Sequence, residues 1–489
     1  MTPDSTTRIS HAIVIGAGFV GLLAAATIAE HADRVTLIER DQLPDSPQAR
    51  TGLPQAAHVH VLWSGGVHAC EALLPGITDE WIAAGARRIA LPTDLVTMTA
   101  QGWIPRWEEM HFNLAASRAL TDHVLRTRVL DSRRHPGIEL LDQHEVIELA
   151  GSASAVTGVV TRTPDGTERT LDADLVVDTC GRQSRAESWL AEFGVTGIQQ
   201  HQVDSGLAYA TRLFHAPPGT GSYPIVNVQS DPSEPVPGQT ATIVPEGDLW
   251  RVTLSGTKGG VPTPPAGDRR GLDPKAPQAD APWFVSFAKG VRHPIVGDLI
   301  ENLVPAAPIV VTRSTKNSLL RFDKADLPGG FLALGDSIAT FNPLYGQGMT
   351  VGAQGLVAVR ELMRRSGPAR PGFSRRAQKA VTRPAATAFQ LATSQDCLYP
   401  GATGMKTPPG SGLLNAYVNR LMRNACTDPL LAQAFLDVIT MTKPPVAWFS
   451  PRVVTAVIRR RRPGALTEPP LTADELATVL STTTASEVA

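Results

Sequence analysis

The chain has almost no excess of either charge. Its 489 residues carry 45 basic against 46 acidic side chains, a formal net charge of −1 at pH 7. That balance argues against a nucleic-acid binder, which needs a clustered basic surplus to neutralise phosphates. Lysine is missing from the first half. The first is Lys258, so any reaction that requires a lysine in an N-terminal domain is excluded. Cysteine is scarce: Cys70, Cys180, Cys397 and Cys426 stand far apart, with no CxxC pair and no His/Cys spacing of a zinc site. This speaks against dithiol redox chemistry and a disulfide-stapled secreted scaffold, and fits a reducing cytoplasmic setting. Long apolar runs are nearly absent too. Ala12 to Ala29 is an apolar run of 18 residues without a charge, the length at which a membrane span or signal segment enters consideration, and no later segment is as long and apolar. Three glycines at fixed spacing inside that run explain it better, so no membrane span is expected.

What is present begins with a β-α-β unit. His11 to Ile15 is an apolar run of strand length, Val20 to Glu30 is alanine-rich and helix-prone, and Arg34 to Ile38 returns to strand chemistry. The first joint reads Gly16-Ala17-Gly18-Phe19-Val20-Gly21. Gly16 permits a tight turn off the strand, Gly18 lets a pyrophosphate reach the amides at the helix start, and Gly21 lets helix and strand pack closely. Glu39 follows Gly21 by eighteen residues, at the end of the second strand, with Arg40 beside it. An acid there is placed to accept hydrogen bonds from a ribose.

A second glycine cluster selects the dinucleotide. Gly335-Asp336-Ser337, then Pro343, Gly346 and Gly348-Met349, lie between an expected strand, Phe331 to Leu334, and a helix running to Arg365. FAD is long, and its ribityl and flavin half extends away from the adenosine site. A carboxylate such as Asp336 suits the ribityl hydroxyls, and amides near Gly346, Gly348 and Met349 suit the flavin carbonyls. Asp336 as a helix cap is a compatible second role. No other GxGxxG follows a strand, so NAD(P)H is expected only as a transiently docked reductant.

Between the clusters, Asn113 to Val129 has helical periodicity through Leu114, Leu120, Val124 and Leu125. Ile138 to Ile147, Gly158 to Thr163 and Leu175 to Val177 read as strands, with a hairpin turn at Pro164-Asp165-Gly166. From about 200 to 305 alternating residues predict antiparallel sheet, broken by a Pro/Gly-rich loop from Gly259 to Pro277. A helical tail follows. Within it Arg459 to Arg462 is read as a solvated helix end rather than a phosphate or membrane site.

Asp174-Leu-Val-Val-Asp178-Thr-Cys-Gly181-Arg182-Gln-Ser184-Arg185, together with Gly335 to Met349, resembles the cofactor motifs of class A flavin monooxygenases of the hydroxybenzoate-hydroxylase fold. Ser117-Arg118-Ala-Leu120 is similar to the helix whose arginine reaches FAD in that family. Gly52 to Gly66, Leu73 to Gly76, Val203 to Gly206, Tyr209 to Phe214, Ser255 to Gly260 and Phe341 to Met349 look most like flavin epoxidases of polyether ionophore biosynthesis, the lasalocid and monensin type. The likeness covers roughly residues 11 to 365. Gln347 departs from it, standing where a histidine is expected in those epoxidases.

The resemblance implies an α/β fold: a Rossmann-type, glutathione-reductase-like FAD domain, an antiparallel-sheet substrate domain and a helical C-terminal region. The expected division is 8–90, 111–195 and 306–365 for FAD, 91–110 and 196–305 for substrate, and 366–489 for the tail. It also implies that a flavin C4a-hydroperoxide passes oxygen to an alkene of an apolar polyketide-like substrate, with O₂ consumed in antibiotic biosynthesis. A flavin reductase or a carrier protein is an open partner. No side-chain nucleophile is required; the protein must exclude water and hold the substrate.

Candidate pocket residues are His58, His60, Trp63, Arg212, Phe341 and Tyr345, with Trp103 and Trp107 as further aromatics. Arg212 is read either as a lid residue or as a surface ion pair. His58-Val-His60 lacks a third ligand, so no metal is expected. Aromatic hydroxylation of a polyketide and a non-redox FAD-dependent cyclase stay open as alternatives. A halogenase needs the missing N-terminal lysine.

Overall fold

A computed structural model describes residues 8–48, 50, 52–236, 238–406, 411–459 and 464–485. Strand β1 (Ile9–Ile15), helix α1 (Phe19–Ala29) and strand β2 (Ala32–Ile38) form the expected unit. The two strands are parallel and open into a five-stranded sheet, ordered Phe331–Ala333, Leu175–Asp178, β1, β2, Ile138–Leu141. Such a sheet is covered on both faces, which explains the unbroken apolar run of β1 and the burial of nearly all of α1. The uncharged stretch is therefore a strand, a turn and a short helix. No helix among the described residues is long and apolar enough to cross a membrane.

Two expectations need correction. The Asn113 to Val129 periodicity is not one helix. His111–Ala115 is a strand paired with Val61–Trp63 and Arg87–Leu91, and the helix starts only at Arg118. Ser117 makes the break, its hydroxyl accepting from the Leu120 amide at 3.2 Å. Ile138 to Ile147 is likewise two strands. Ile138–Leu141 belongs to the parallel sheet and Glu145–Gly151 to a separate three-stranded antiparallel sheet, with Gln143 at φ 54° between them.

The second large sheet has nine strands centred on the long strand Gln200–His215, which pairs antiparallel with Leu249–Gly256 and Val310–Leu320. Leu95–Thr99 joins it parallel to Ile225–Val228. Alternation along the long strand decides what faces where. Ala210 and Phe214 enter a core with Phe284, Leu299 and Ile300 of helices Pro282–Gly290 and Ile295–Ile300. Thr211 and Leu213 face the cofactor domain across a cleft. The C-terminal region is helical: Gly348–Ser366 and Phe373–Asp396 pack together on the first core, and 411–458 forms a smaller cluster around Leu421, Leu431 and Trp448. Of the four-arginine run, Arg460 to Arg462 lie outside the described residues.

Candidate cofactor and substrate site

The two glycine motifs meet at Val20. A Cβ on Gly335 would touch both Val20 methyls at 3.2 Å, and one on Gly352 would lie 2.4 Å from Cγ2. The strand-to-helix turn is equally tight. Gly16 holds φ +97°, and a Cβ on Gly21 would fall 1.8 Å from the Gly16 carbonyl oxygen and 2.7 Å from Thr179 Oγ1. Gly18 differs: its Cβ direction is open, with only the guanidinium nitrogens of Arg118 and Arg50 near, each at 3.9 Å. An open, glycine-floored helix start flanked by two guanidiniums fits a pyrophosphate.

Glu39 accepts from the Ala17 amide at 2.9 Å and the Asp41 amide at 3.1 Å, and pairs with Arg50 at 3.2 Å. Arg118 is held by Asp122 at 2.7 Å and lies over the Phe19 ring. Arg40 is half exposed and reaches only Asp41, at 3.8 Å. Arg50 was not legible. It lies in an irregular loop, and only folding carries it onto Glu39 and Asp122.

Asp336 lies 3.8 Å from Arg182, whose guanidinium also donates to the Phe341 carbonyl at 2.9 Å. Burial pushes the Asp336 carboxyl up, while Arg182 and Arg118 pull it back. Ser337 accepts from the Gly181 amide at 3.0 Å, tying the Asp178–Arg185 segment to the second motif. Gly346 takes φ +61° ahead of helix Gly348–Ser366, and Trp63 Nε1 donates to the Tyr345 carbonyl at 3.0 Å. Among the described residues, buried Gln347 Oε1 and Thr350 Oγ1 at this helix start have no partner, and neither has Arg50 Nε beside the first motif. A buried polar atom left unpaired in this way fits a polar ligand nearby. Met349 is partly buried there, packed against the first core.

A hydrogen-bonded cluster fixes the Phe341–Tyr345 segment. Asp396, at the end of helix Phe373–Asp396, accepts from Tyr345 Oη at 2.6 Å, Asn317 Nδ2 at 2.7 Å, Ser205 Oγ at 3.2 Å and Asn342 Nδ2 at 3.3 Å. Tyr209 Oη donates to Asn342 Oδ1 at 2.5 Å and accepts from the Leu344 amide at 2.7 Å. Burial raises the Asp396 carboxyl and these four donors lower it. Tyr209, Asn317 and Asp396 carry no local sequence signal for this role.

A cleft of about 560 Å³ opens between loop residues 50–57, the start of the Arg118 helix and the sheet face. Leu53, Ala56, Leu213, Leu249, Pro308 and Val310 supply most of its wall. Its charged groups are Arg50 and the Arg251–Glu246 pair. His58 stands behind Thr211, bonded to the hydroxyls of Thr211 and Thr312, both at 2.7 Å. Burial, with Arg251 nearby, pushes its imidazole down to about 4. Burial and Arg118 push His60 to about 3, and its Nδ1 faces the His58 carbonyl. Both are neutral at pH 7. No group of three metal-ligating side chains occurs among the described residues.

Arg212 corrects its expectation. It is neither lid nor surface ion pair: the alternation turns it away from Thr211, and it donates to the carbonyls of Ala307, Pro277 and Ala279. Its guanidinium thereby ties the Pro/Gly-rich loop to the sheet. Trp103 is core beside His293, and Trp107 packs on the C-terminal helical cluster.

The model of the FAD binding domain family matches residues 10–202. Protein Rv3254 of Mycobacterium tuberculosis (strain ATCC 25618 / H37Rv) is 26% identical over 437 residues, 87% of this chain and 88% of that protein. The structure of p-nitrophenol 4-monooxygenase PnpA from Pseudomonas putida DLL-E4 superposes with a TM-score of 0.57 at 18% identity, over 89% of this chain and 99% of that one. OxyS anhydrotetracycline hydroxylase from Streptomyces rimosus gives 0.56 at 16%, over 89% and 76%. At such identities the likeness is one of fold. Residues 10–202 thus match the FAD binding domain family, and the chain shares its fold with these two structures.

Proposed function

We propose that this protein is an FAD-dependent monooxygenase that inserts one oxygen atom of O₂ into an apolar small molecule, and that its reaction is epoxidation of an alkene in a polyketide-like substrate. Bound FAD, reduced by NAD(P)H, supplies the activation of oxygen. The chain's own residues do the rest. Gly18, Arg118 and Arg50 hold the pyrophosphate, Glu39 the ribose and Asp336 the ribityl chain. The Pro343–Met349 turn, braced by Asp396 and Trp63, holds the flavin ring. The sheet face presents Thr211, Leu213 and Val310 to the substrate.

The observation that carries the finer reading is the composition of the cleft. Its wall is mainly apolar, its one carboxylate is paired with Arg251, and the nearby histidines, pushed down to about 4 and about 3, are weak bases. An alkene needs exclusion of water and orientation, whereas a phenol gains from a base near its hydroxyl. OxyS, a hydroxylase by name, supports the second reading, hydroxylation of an aromatic polyketide. The test is to purify the yellow protein and bleach it with NADH or NADPH. Oxygen is then admitted with a polyene or an aromatic polyketide present. A product heavier by one oxygen atom, with that atom in an oxirane, supports epoxidation; a new phenol supports the alternative. A protein that stays colourless when given FAD overturns both.

A further inference from the structure

The C-terminal helical cluster exposes what a protein core usually hides. Among the described residues its Leu413, Val446 and Ile458 are the three most exposed large apolar side chains, at 85%, 68% and 67%, and Leu414 and Phe449 accompany them. They belong to helix Ser411–Ala425, the turn Pro445–Phe449 and helix Pro451–Ile458, which one stripe of contacts clamps together. Leu413, Tyr417, Arg420 and Asn424 recur on one side of the first helix. The Tyr417 ring stacks on Phe449, with centroids 5.1 Å apart, and its hydroxyl donates to the Trp448 carbonyl at 2.6 Å. One turn later, Arg420 donates to the carbonyls of Val457 and Ile458, both at 2.8 Å. Leu413 and Val446 therefore lie toward one end of the seam and Ile458 toward the other.

Charge is concentrated on the same piece. Between residues 406 and 462 the sequence has nine basic side chains and two acidic ones, in a chain whose net charge is −1. Both acids are engaged within the fold: Asp428 caps a helix, and buried Asp437 pairs with Lys443 and His111. Arg420, Arg423, Arg452 and Arg459 are exposed.

We propose that this face docks on an anionic lipid bilayer as a peripheral, non-spanning seat. Short amphipathic helices with aliphatic side chains beside arginines match an interface of acyl chains and acidic headgroups. A folded protein partner is favoured less, because protein hot spots are rich in Trp, Tyr and Arg set in pockets, and here three aliphatic groups project separately.

The test uses the full-length FAD-loaded protein and sedimentation with phosphatidylcholine vesicles, with and without phosphatidylglycerol. Binding should be at least about tenfold tighter with the anionic lipid and should fall as salt is raised. The variant L413S/V446S/I458S should lose binding by about tenfold or more, and R452E/R459E should lose the anionic preference. Each should keep the flavin spectrum of the parent, since none of these residues touches the cofactor cleft. Three results overturn the proposal: no binding to anionic vesicles, binding unchanged in both variants, or a dimer in sedimentation velocity that the apolar variant dissolves.

Discussion

At the fingerprint end of the candidate cofactor site, backbone meets backbone: Gly21 sits against the Gly16 carbonyl, and Gly335 and Gly352 close on Val20. At the other end, side chains from four distant places hold the Phe341–Tyr345 segment. Asp396 comes from the C-terminal helix, Asn317 and Tyr209 from the large sheet, and Trp63 from a short strand near the start. The first end is made by the absence of side chains, at Gly21 against a carbonyl five residues back and at Gly335 and Gly352 against Val20. The second is made by hydrogen bonds spanning from 51 to 282 residues. An end built by close approach should fail abruptly when atoms are added, and one built by a polar cluster should fail in steps as donors and acceptors are removed.

Gly21→Ala should have the largest effect. Overpacking at a rigid contact of this kind costs about 3 kcal/mol, or about a hundredfold in FAD affinity by flavin-fluorescence titration. Unchanged affinity would break the distinction. At the polar end Asp396→Ala strands the donors of Tyr345, Asn317, Asn342 and Ser205, and a buried group left unpaired costs about 1–3 kcal/mol. A lowered melting midpoint and about tenfold weaker FAD binding are expected. Asp396→Asn, which keeps an acceptor oxygen, should recover part of both.

His58 gives a pH test of the same end. Its folded pKa, near 4, lies below the ordinary 6.5, so between those values the unfolded chain binds the extra proton. Stability is therefore full above about pH 6.5 and declines as pH falls toward 4. By pH 5 the loss from this one group is about 2 kcal/mol. Denaturant midpoints at pH 7 and pH 5 should converge in His58→Gln. An unchanged slope would mean that the imidazole is not held neutral by burial.

The smallest effect separates neighbouring arginines. Arg50→Met should weaken FAD binding by about tenfold, as befits a buried cation beside an open helix start. Arg40→Ala should leave it nearly unchanged, because Arg40 is half exposed with one long contact to Asp41. Equal losses from the two would move the phosphate grip away from Arg50.

The same contrast explains what could be read in advance. Gly16, Gly18, Gly21 and Glu39 announce a dinucleotide site because close approach demands particular residues at fixed short spacing. Ser117 is a helix-start signal, but apolar spacing runs straight through it, so the strand before it carries the same periodicity as the helix. The alternation along Gln200–His215 leaves Arg212 unplaced, since alternation does not say which face meets the cleft. Helices Pro282–Gly290 and Ile295–Ile300 decided that by covering one side.

Residue order alone therefore determined the nucleotide fingerprint, the parallel β-α-β start and the later glycine turn, all of them local consequences of missing side chains and short periods. Only the folded chain decided that Arg50 stands beside Glu39, that a tail residue such as Asp396 braces the turn at 341–345, and that Arg212 holds a loop instead of lining the cleft. Those relations depend on which distant surfaces pack together. Packing is settled by the shape and burial of the whole, so no window of sequence carries it.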